Sequence, residues 1–436
     1  MINLNEKRMN QLEHIIYYEW YLDIRAGGPT GYLANLLDGI NRTEDNKNPL
    51  ILFDTMEKTN NNPEENSKKI YKIIHKIFYS NSLLKKIYIN YISRFQKRNH
   101  ANYINFLKDT SNMICDRDLF NRIDLEETKT IHVHTVGDAV KVRNSLNKAR
   151  IKDIKLMLTC HTPEAPSDEY YKDYLERGFD KKHAKEVRDG WRKLEKRAFL
   201  GADILVFPSR EAMEPLEATI EGFSEIAAQK DIRFLASGAK RLKSKLTREE
   251  AKKKYGVEGK FVVGYVGRHN EIKGYDLLEK AAESVLNKND HVCFLIGGKQ
   301  GDKFKALNHK RWIEAGWVNP ADLFMALDVF VLPNRMTYFD LVLLEVMSMG
   351  IPVIASNTGG NKSVDSTTGV LKLYDNSIDD LEKAILECSK KSKEEMEQWR
   401  KKVEKAYNEN YTTSIFAENY IKMIDEIYKD YGMENE

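Results

Sequence analysis

Short apolar runs bounded by glycine, proline or polar residues recur along the chain. In the C-terminal half one run spans 329–332 and another spans 353–355, with an apolar segment of helical length over 341–347 between them. Continuous apolar runs of this length are typical of strands that are buried on both faces of a parallel sheet. The order strand, helix, strand predicts a βαβ unit, whose ligands bind at the carboxyl ends of the strands.

The same pattern predicts eight strands in two groups: 14–18, 131–134, 155–159 and 204–207, then 261–268, 292–296, 329–332 and 353–355. A chain of 436 residues is long enough for two α/β domains that each bury a core. The fold class expected is therefore α/β, with two Rossmann-like domains built on parallel sheets. We expect the domains to span 1–238 and 239–410, with a last segment over 411–436.

A basic segment interrupts the first half. From Lys68 to Arg98 there are nine lysine or arginine residues and no acidic residue, and apolar positions recur at helical spacing. This pattern predicts two amphipathic helices within an insertion of about 64–125. Residues 68–98 could lie on an anionic membrane surface. Alternatively, they could form a hairpin that packs on the first domain and leaves its lysines in water.

Composition narrows the class of protein. The net charge is only +3, which gives no global electrostatic reason to expect nucleic acid as a partner. The four cysteines form no C-x-x-C pair, which argues against a zinc ribbon or a disulfide framework and fits a reducing cytoplasm. No apolar run approaches the roughly 20 residues of a spanning helix. A cytoplasmic protein is expected, with peripheral contact at the inner face of the membrane as the alternative.

Several charged residues occupy positions that suggest chemistry. Glu345 lies inside an apolar helical segment, where a carboxylate is costly unless it binds a polar group. Arg268 and Lys273 follow a predicted strand, and fixed cations at such a place stabilise the charge of a leaving diphosphate.

Near the N-terminus, Gly27 and Gly28 form a glycine loop that opens a helix and could approach an anion. The dinucleotide fingerprint G-x-G-x-x-G and the Walker P-loop are absent.

These motifs together resemble a known family. The chain contains, in this order, the glycine loop, the pattern G-R-x-x-x-x-K-G over 267–274, the stretch 337–345 and the glycine pair at 359–360. This order resembles that of retaining GT-B glycosyltransferases of family 4. The resemblance implies two domains that face a cleft, the first binding the acceptor and the second the nucleotide sugar. It also implies that the segment after 411 crosses back onto the first domain.

The resemblance assigns roles to individual positions. Arg268 and Lys273 would hold the leaving diphosphate, His134 would line the reaction centre, and Glu345 would bind the ribose hydroxyls of the nucleotide. His161, at the end of the following strand, is the weaker histidine candidate. Trp317 precedes a residue expected to contact the base, although it could equally be a core residue. The remaining donor contacts implied by the resemblance are Gly27, Gly28, Gly267, Val318, Thr337, Phe339, Asp340 and Leu341.

Two positions depart from the family pattern. Thr337 stands where relatives carry the glutamate that contacts the donor sugar, and Asp340 replaces a glycine. Because Asp340 lies one helical turn after Thr337, it is the candidate to supply the missing carboxylate.

The resulting expectation is a retaining transferase. It would move a hexosyl or N-acetylhexosaminyl group from a nucleoside diphosphate sugar, with UDP as the expected nucleotide. The acceptor would be a sugar or lipid-linked glycan hydroxyl, in bacterial-type polysaccharide or glycoconjugate synthesis. No metal or other cofactor is required by this reading. The alternative is a GT-B-shaped subunit that binds a nucleotide or glycan without turnover. Phosphorylase chemistry would need a pyridoxal-binding lysine, which the sequence does not identify.

Overall fold

The computed structural model describes residues 13–20, 22, 28–43, 49–53, 100–298 and 306–433. These residues form two compact units. Of the described residues, those within 1–22, 50–158 and 166–203 form the first unit, and those within 23–49, 159–165 and 204–436 form the second. Gly27 and the basic segment from Lys68 to Arg98 lie outside the described residues, so the predictions made for them stay predictions.

The first sheet has six strands in the order β2-β1-β3-β4-β5-β6. Its strands are β1 (His14–Tyr18), β2 (Leu50–Phe53), β3 (Thr130–Val133), β4 (Lys155–Leu158), β5 (Ile204–Phe207) and β6 (Asp231–Phe234). The pairings of β1 with β2 and β3, of β3 with β4, and of β5 with β6 are parallel. The predicted parallel sheet of the N-terminal half is confirmed.

The second sheet also has six strands, in the order β12-β11-β10-β7-β8-β9. Its strands are β7 (Phe261–Val266), β8 (Val292–Gly297), β9 (Trp312–Gly316), β10 (Val329–Leu332), β11 (Val353–Ser356) and β12 (Lys372–Tyr374). All five neighbouring pairs are parallel. The expected fold class, two Rossmann-like domains built on parallel sheets, is therefore confirmed.

Helices flank and connect the strands. They are α1 (Gly28–Ile40), α2 (100–108), α3 (Arg117–Phe120), α4 (Val136–Lys148), α5 (Pro166–Glu176), α6 (Lys181–Gly201), α7 (Glu214–Thr219), α8 (Phe223–Ala227), α9 (Arg248–Lys254), α10 (Tyr275–Lys288), α11 (Pro320–Met325), α12 (Leu341–Met347), α13 (Gly359–Thr368), α14 (Ile378–Ser389), α15 (Lys393–Asn410) and α16 (Thr413–Asp430). No helix within the described ranges is both long enough and apolar enough to cross a membrane.

Both faces of the second sheet are buried. Val262 packs in one apolar cluster with residues of α12 and α15, whereas its neighbour Val263 packs in a second cluster with residues of α10 and α14. Phe330 and Val331 divide between the same two clusters. Because successive side chains of a strand point to opposite faces, an apolar residue is needed at every position. This accounts for the continuous apolar runs in the sequence.

The last helix, α16, packs against α1, and both belong to the second unit. A Cβ atom at Gly39 would lie 2.0 Å from the carbonyl oxygen of Thr413, so this close approach requires glycine. The Thr413 hydroxyl donates to Asp38 at 2.8 Å, and the rings of Tyr32 and Phe416 meet edge to face at 4.9 Å. The C-terminal helix is thus fixed to the helix that follows the first strand.

Candidate functional site

The strand order of the second sheet reverses between β7 and β10. Strands β8 and β9 lie on one side of this point, and β11 and β12 lie on the other. Two loops leave the sheet here side by side: residues 267–274, the basic loop, and residues 333–340, the β10 loop. Open parallel sheets bind ligands at the carboxyl ends of strands where the order reverses. The topology therefore selects these two loops as the candidate site.

Two hydrogen bonds and one close contact with the β10 loop fix the conformation of the basic loop. The Tyr265 hydroxyl donates to the Arg268 carbonyl at 2.8 Å, and the Lys273 amide donates to Oδ1 of Asn270 at 2.9 Å. Gly274 has φ 65°, and a Cβ atom there would lie 1.6 Å from the Pro333 carbonyl oxygen. Only glycine permits both this backbone conformation and this approach. The two loops are therefore in direct contact.

The two predicted cations differ in their surroundings. Arg268 is exposed, and its guanidinium makes no hydrogen bond or ion pair with the residues that the structure describes. Lys273 is largely buried, and its Nζ lies 2.5 Å from Oδ1 of Asp340. Arg268 is thus available to an anion, while Lys273 already has a carboxylate partner.

Asp340 uses both of its carboxylate oxygens. Oδ1 pairs with Lys273, and Oδ2 accepts a hydrogen bond from Nδ2 of Asn334 at 2.7 Å. Its expected contact with a donor sugar stays a prediction. The structure adds that such a contact would compete with the bond to Lys273.

Glu345 is a largely buried carboxylate on α12. Its neighbours Leu344 and Val346 are fully buried, and no described residue donates a hydrogen bond to its side chain. Burial without a cationic partner raises the pKa of Glu345 from 4.5 to about 7. A buried acceptor of this kind gains stability when a ligand donates hydrogen bonds to it.

The other predicted positions of the β10 loop pack closely against glycines. Thr337 is fully buried, and its hydroxyl has no hydrogen-bond partner among the described residues. A Cβ atom at Gly359 would lie 1.9 Å from the Thr337 carbonyl oxygen, and one at Gly360 would lie 2.9 Å from Cδ2 of Phe339. The glycine pair is therefore needed for the β10 loop to approach the start of α13.

Leu341 and Gly28 are linked through α1. A Cβ atom at Gly31 would lie 3.0 Å from Cδ1 of Leu341, so the first turn of α1 approaches α12 within the second unit. Gly28, the first residue of α1, has φ 55°, a left-handed conformation that favours glycine. On the β7 side, Gly267 contacts Gly298, where a Cβ atom would lie 2.1 Å from the Gly267 carbonyl oxygen.

A carboxylate that sequence reasoning missed lies at the start of α13. The Gly359 amide donates to Oε2 of Glu214 at 3.2 Å, and Nζ of Lys362 lies 2.8 Å from Oε1 of the same glutamate. The negative charge of Glu214 thus lies at the positive end of the helix dipole. No local sequence signal marks this contact, because Glu214 and Gly359 are 145 residues apart.

The loop after β9 presents an aromatic side chain to solvent. Trp317 is 83% exposed, so its alternative assignment to the core is wrong. Val318, the predicted base contact, is half-buried. An exposed tryptophan beside Val318 is able to stack on a planar ligand.

The predicted histidines fall in different units. His134 belongs to the first unit, is buried, and lies with its ring 4.3 Å from that of His132. His161 belongs to the second unit, where burial lowers its pKa to about 3 and its ring lies 5.9 Å from Tyr338. The first unit also contains Asp138, whose pKa is raised to about 7 by burial and which no sequence motif marks.

Comparison with known proteins supports the assignment of the second sheet. Residues 260–391 match the sequence profile of the family described as "Glycosyl transferases group 1". This segment includes both loops of the candidate site and Glu345. The predicted resemblance to glycosyltransferases is therefore confirmed at the level of this domain.

Curated related sequences match part of the chain. The chain is 32% identical over 134 residues to the lipopolysaccharide core biosynthesis mannosyltransferase LpsB of Rhizobium meliloti, covering 28% of this chain and 38% of the relative. It is 33% identical over 112 residues to a Klebsiella pneumoniae protein named "Uncharacterized 41.2 kDa protein in cps region", covering 24% and 31%. The chain thus matches about a third of the length of these curated relatives.

A solved structure supports the fold over nearly the whole chain. The crystal structure of Anabaena HepE in complex with UDP and glucose is 13% identical and has a TM-score of 0.58, covering 95% of this chain and 100% of that one. At this identity the likeness concerns the fold alone. Together with the two parallel sheets, it identifies the fold of this chain as the two-domain GT-B fold.

Proposed function

We propose that this protein is a retaining glycosyltransferase. It transfers a hexosyl or N-acetylhexosaminyl group from a nucleoside diphosphate sugar, with UDP as the expected nucleotide, to a hydroxyl of a sugar or a lipid-linked glycan. The observation that carries the proposal is Glu345, a buried carboxylate without a partner among the described residues, in a domain of glycosyltransferase type. The reaction belongs to polysaccharide or glycoconjugate synthesis.

Donor binding is proposed to use loops and helix ends that follow strands of the second sheet, together with the glycine loop before α1. Glu345 accepts hydrogen bonds from the ribose hydroxyls, which stabilise its ionised form against the effect of burial. Val318 contacts the base through its backbone, while Gly267 and Gly28, with Gly27, leave room for the diphosphate. Thr337, Phe339 and Leu341 complete the donor site.

The chemical step requires charge stabilisation more than a protein base. The acceptor oxygen bonds to the anomeric carbon as the bond from that carbon to the diphosphate oxygen breaks. The electron pair of the broken bond stays on the diphosphate, where Arg268 and Lys273 neutralise the growing charge. The acceptor proton passes to the leaving oxygen on the same face, so the anomeric configuration is retained. His134 is proposed to line the donor sugar.

The names of related proteins agree with this proposal. LpsB is named as a mannosyltransferase of lipopolysaccharide core biosynthesis, and the HepE structure contains UDP and glucose. The proposal also includes binding of the acceptor by the first domain and a cytoplasmic location. For residues 68–98, both alternatives stay open: contact with a membrane surface, or packing as a hairpin on the first domain.

A second candidate function is a subunit that binds nucleotide or glycan without turnover. Two observations favour it: Thr337 provides no carboxylate, and Asp340 is engaged by Lys273. A protein of this kind would be stabilised by a ligand but would leave that ligand intact.

A panel of nucleotide sugars separates the two functions. The purified chain is mixed with UDP-, GDP- and ADP-linked sugars, and both the thermal midpoint and the release of free nucleoside diphosphate are measured. The transferase proposal predicts stabilisation by one nucleotide class together with slow release of its diphosphate in water. Stabilisation without any release, also in the presence of mixed saccharide acceptors, would favour the binding subunit.

A further inference from the structure

Asp340 occupies a helix-capping position without capping the helix. It is the residue immediately before α12, yet its side chain accepts no hydrogen bond from the first amides of that helix. Aspartate is among the preferred residues at this position because its carboxylate normally accepts such a bond. Here both oxygens are turned instead towards Lys273 and Asn334. The geometry therefore places the carboxylate against Lys273 in preference to the helix end.

The two partners of this ion pair differ in freedom. Asp340 is held on its second oxygen by Asn334, whose carbonyl in turn accepts from Asn376 at 3.2 Å. Lys273 is fixed at its backbone amide by Asn270, but its ammonium is carried by a flexible four-carbon side chain. A competing anion would thus displace the ammonium of Lys273 while the carboxylate of Asp340 stays in place.

The negative charge of Asp340 affects how strongly a diphosphate binds to Lys273. A diphosphate that takes Lys273 must approach a carboxylate that is only partly exposed, where repulsion between like charges is weakly screened. The approach also leaves Asp340 without its cation. A ligand that offers Asp340 a hydroxyl donor compensates for this loss, because a partly buried carboxylate needs a hydrogen-bond donor.

We propose that the Lys273–Asp340 pair discriminates between an intact nucleotide sugar and a free nucleoside diphosphate. The diphosphate of either ligand draws Lys273 away from Asp340. A hydroxyl of the sugar then donates to Asp340, whereas free nucleoside diphosphate leaves that carboxylate unpaired. The pair therefore weakens binding of the product relative to the donor and speeds product release. The inference rests on the proposed function, in which Lys273 binds the diphosphate.

The test compares dissociation constants for UDP and UDP-glucose in the wild type and in Asp340→Asn. Asparagine keeps the shape of the side chain and the ability to cap a helix, but it removes the charge. We expect the variant to bind UDP about tenfold more tightly, since one nearby like charge is removed. The affinity for UDP-glucose should change by less than about threefold, because the lost hydroxyl contact offsets the lost repulsion.

The control is Asp276→Asn. Asp276, in the first turn of α10, is the carboxylate of a second ion pair with the β10 loop, and both of its oxygens accept from Arg335, at 2.5 and 2.6 Å. Its loss should leave the ratio of the two dissociation constants unchanged. The tightening seen with Asp340→Asn should also shrink at high salt, because screening weakens charge repulsion, whereas a purely structural effect would not depend on salt.

The outcomes separate this inference from the function on which it rests. If wild type binds UDP, and Lys273→Ala weakens that binding, but Asp340→Asn leaves it unchanged or weaker, the discrimination is overturned and the proposed function stands. If wild type binds none of UDP, GDP or ADP, the proposed function is overturned and the inference with it. Circular dichroism of each variant confirms that the compared proteins are folded.

Discussion

Replacing Glu345 by glutamine should make the protein more stable and the nucleotide site weaker. In the unfolded chain this carboxyl titrates near 4.5, and in the folded protein its pKa is about 7 because it is buried without a cation. Below pH 4.5 the group is protonated in both states and does not affect the free energy of unfolding. The ionised carboxylate begins to destabilise the folded state as the pH rises from 4.5, and the destabilisation is complete above pH 7.

The size of the effect follows from the two pKa values. A rise from 4.5 to about 7 corresponds to at most about 3 kcal/mol of destabilisation by the ionised carboxylate. Glutamine has nearly the same shape and carries no charge. The variant should therefore gain about 1 to 3 kcal/mol of unfolding free energy at pH 8 and almost none at pH 4.5. Exposed Glu283 on α10 provides the control, since Glu283→Gln should show no comparable gain.

The same substitution should weaken the binding of UDP. A glutamine oxygen accepts hydrogen bonds less strongly than a carboxylate, and two ribose hydroxyls are expected to donate, so the affinity should fall by about 1 to 3 kcal/mol. Chemical denaturation at pH 4.5, 6 and 8 measures the first effect, and calorimetric titration with UDP measures the second. If stability at pH 8 and UDP affinity are both unchanged, Glu345 is an ordinary helix carboxylate and the nucleotide assignment fails.

Three further substitutions test other parts of the site. Arg268→Ala should lower kcat by about 100-fold or more without a change in thermal midpoint, whereas Lys288→Ala, at the far end of α10 and about 20 Å away, should leave the rate of diphosphate release unchanged. Trp317→Ala should change stability by less than about 0.5 kcal/mol because the ring is exposed; calorimetry should show UDP affinity reduced by about 1 kcal/mol if the ring stacks on the base. Glu214→Gln should cost less than about 1 kcal/mol in chemical denaturation, since its ion pair with Lys362 is partly exposed, and a larger loss would mean that the contact at α13 is a major support of the fold.

The sequence predicted the inner strands of both sheets and none of the four edge strands. Strands β10 and β11 are buried on both faces, which produces the continuous apolar runs that the pattern detects. The edge strands β6, β9 and β12 mix polar and apolar residues because part of each is exposed. The remaining edge strand, β2, is an apolar run of four residues like several inner strands, and its length does not explain why it was not predicted. Hydrophobic pattern therefore identifies a sheet better than it identifies the limits of that sheet.

The candidate site residues are suggested by local patterns, whereas their contacts in the structure are not. Arg268, Lys273 and Glu345 follow from local patterns: cations after a strand, and a carboxylate in an apolar helix. The pairing of Lys273 with Asp340 joins residues 67 positions apart, and it depends on which strands are neighbours in the sheet. Exposure of Trp317 is likewise set by the packing of the loop after β9. Such facts require the fold, because no local pattern encodes them.

The most direct test of the proposed function follows a single reaction by proton NMR. The donor selected from the nucleotide-sugar panel is incubated with saccharide acceptors and with wild type, Arg268→Ala or Lys288→Ala. The proposal predicts that wild type and Lys288→Ala release the nucleoside diphosphate and form a glycoside with the anomeric configuration of the donor, while Arg268→Ala is slower by about 100-fold. A product of inverted configuration would contradict the retaining mechanism, and a donor that stays intact with wild type would contradict the transferase itself.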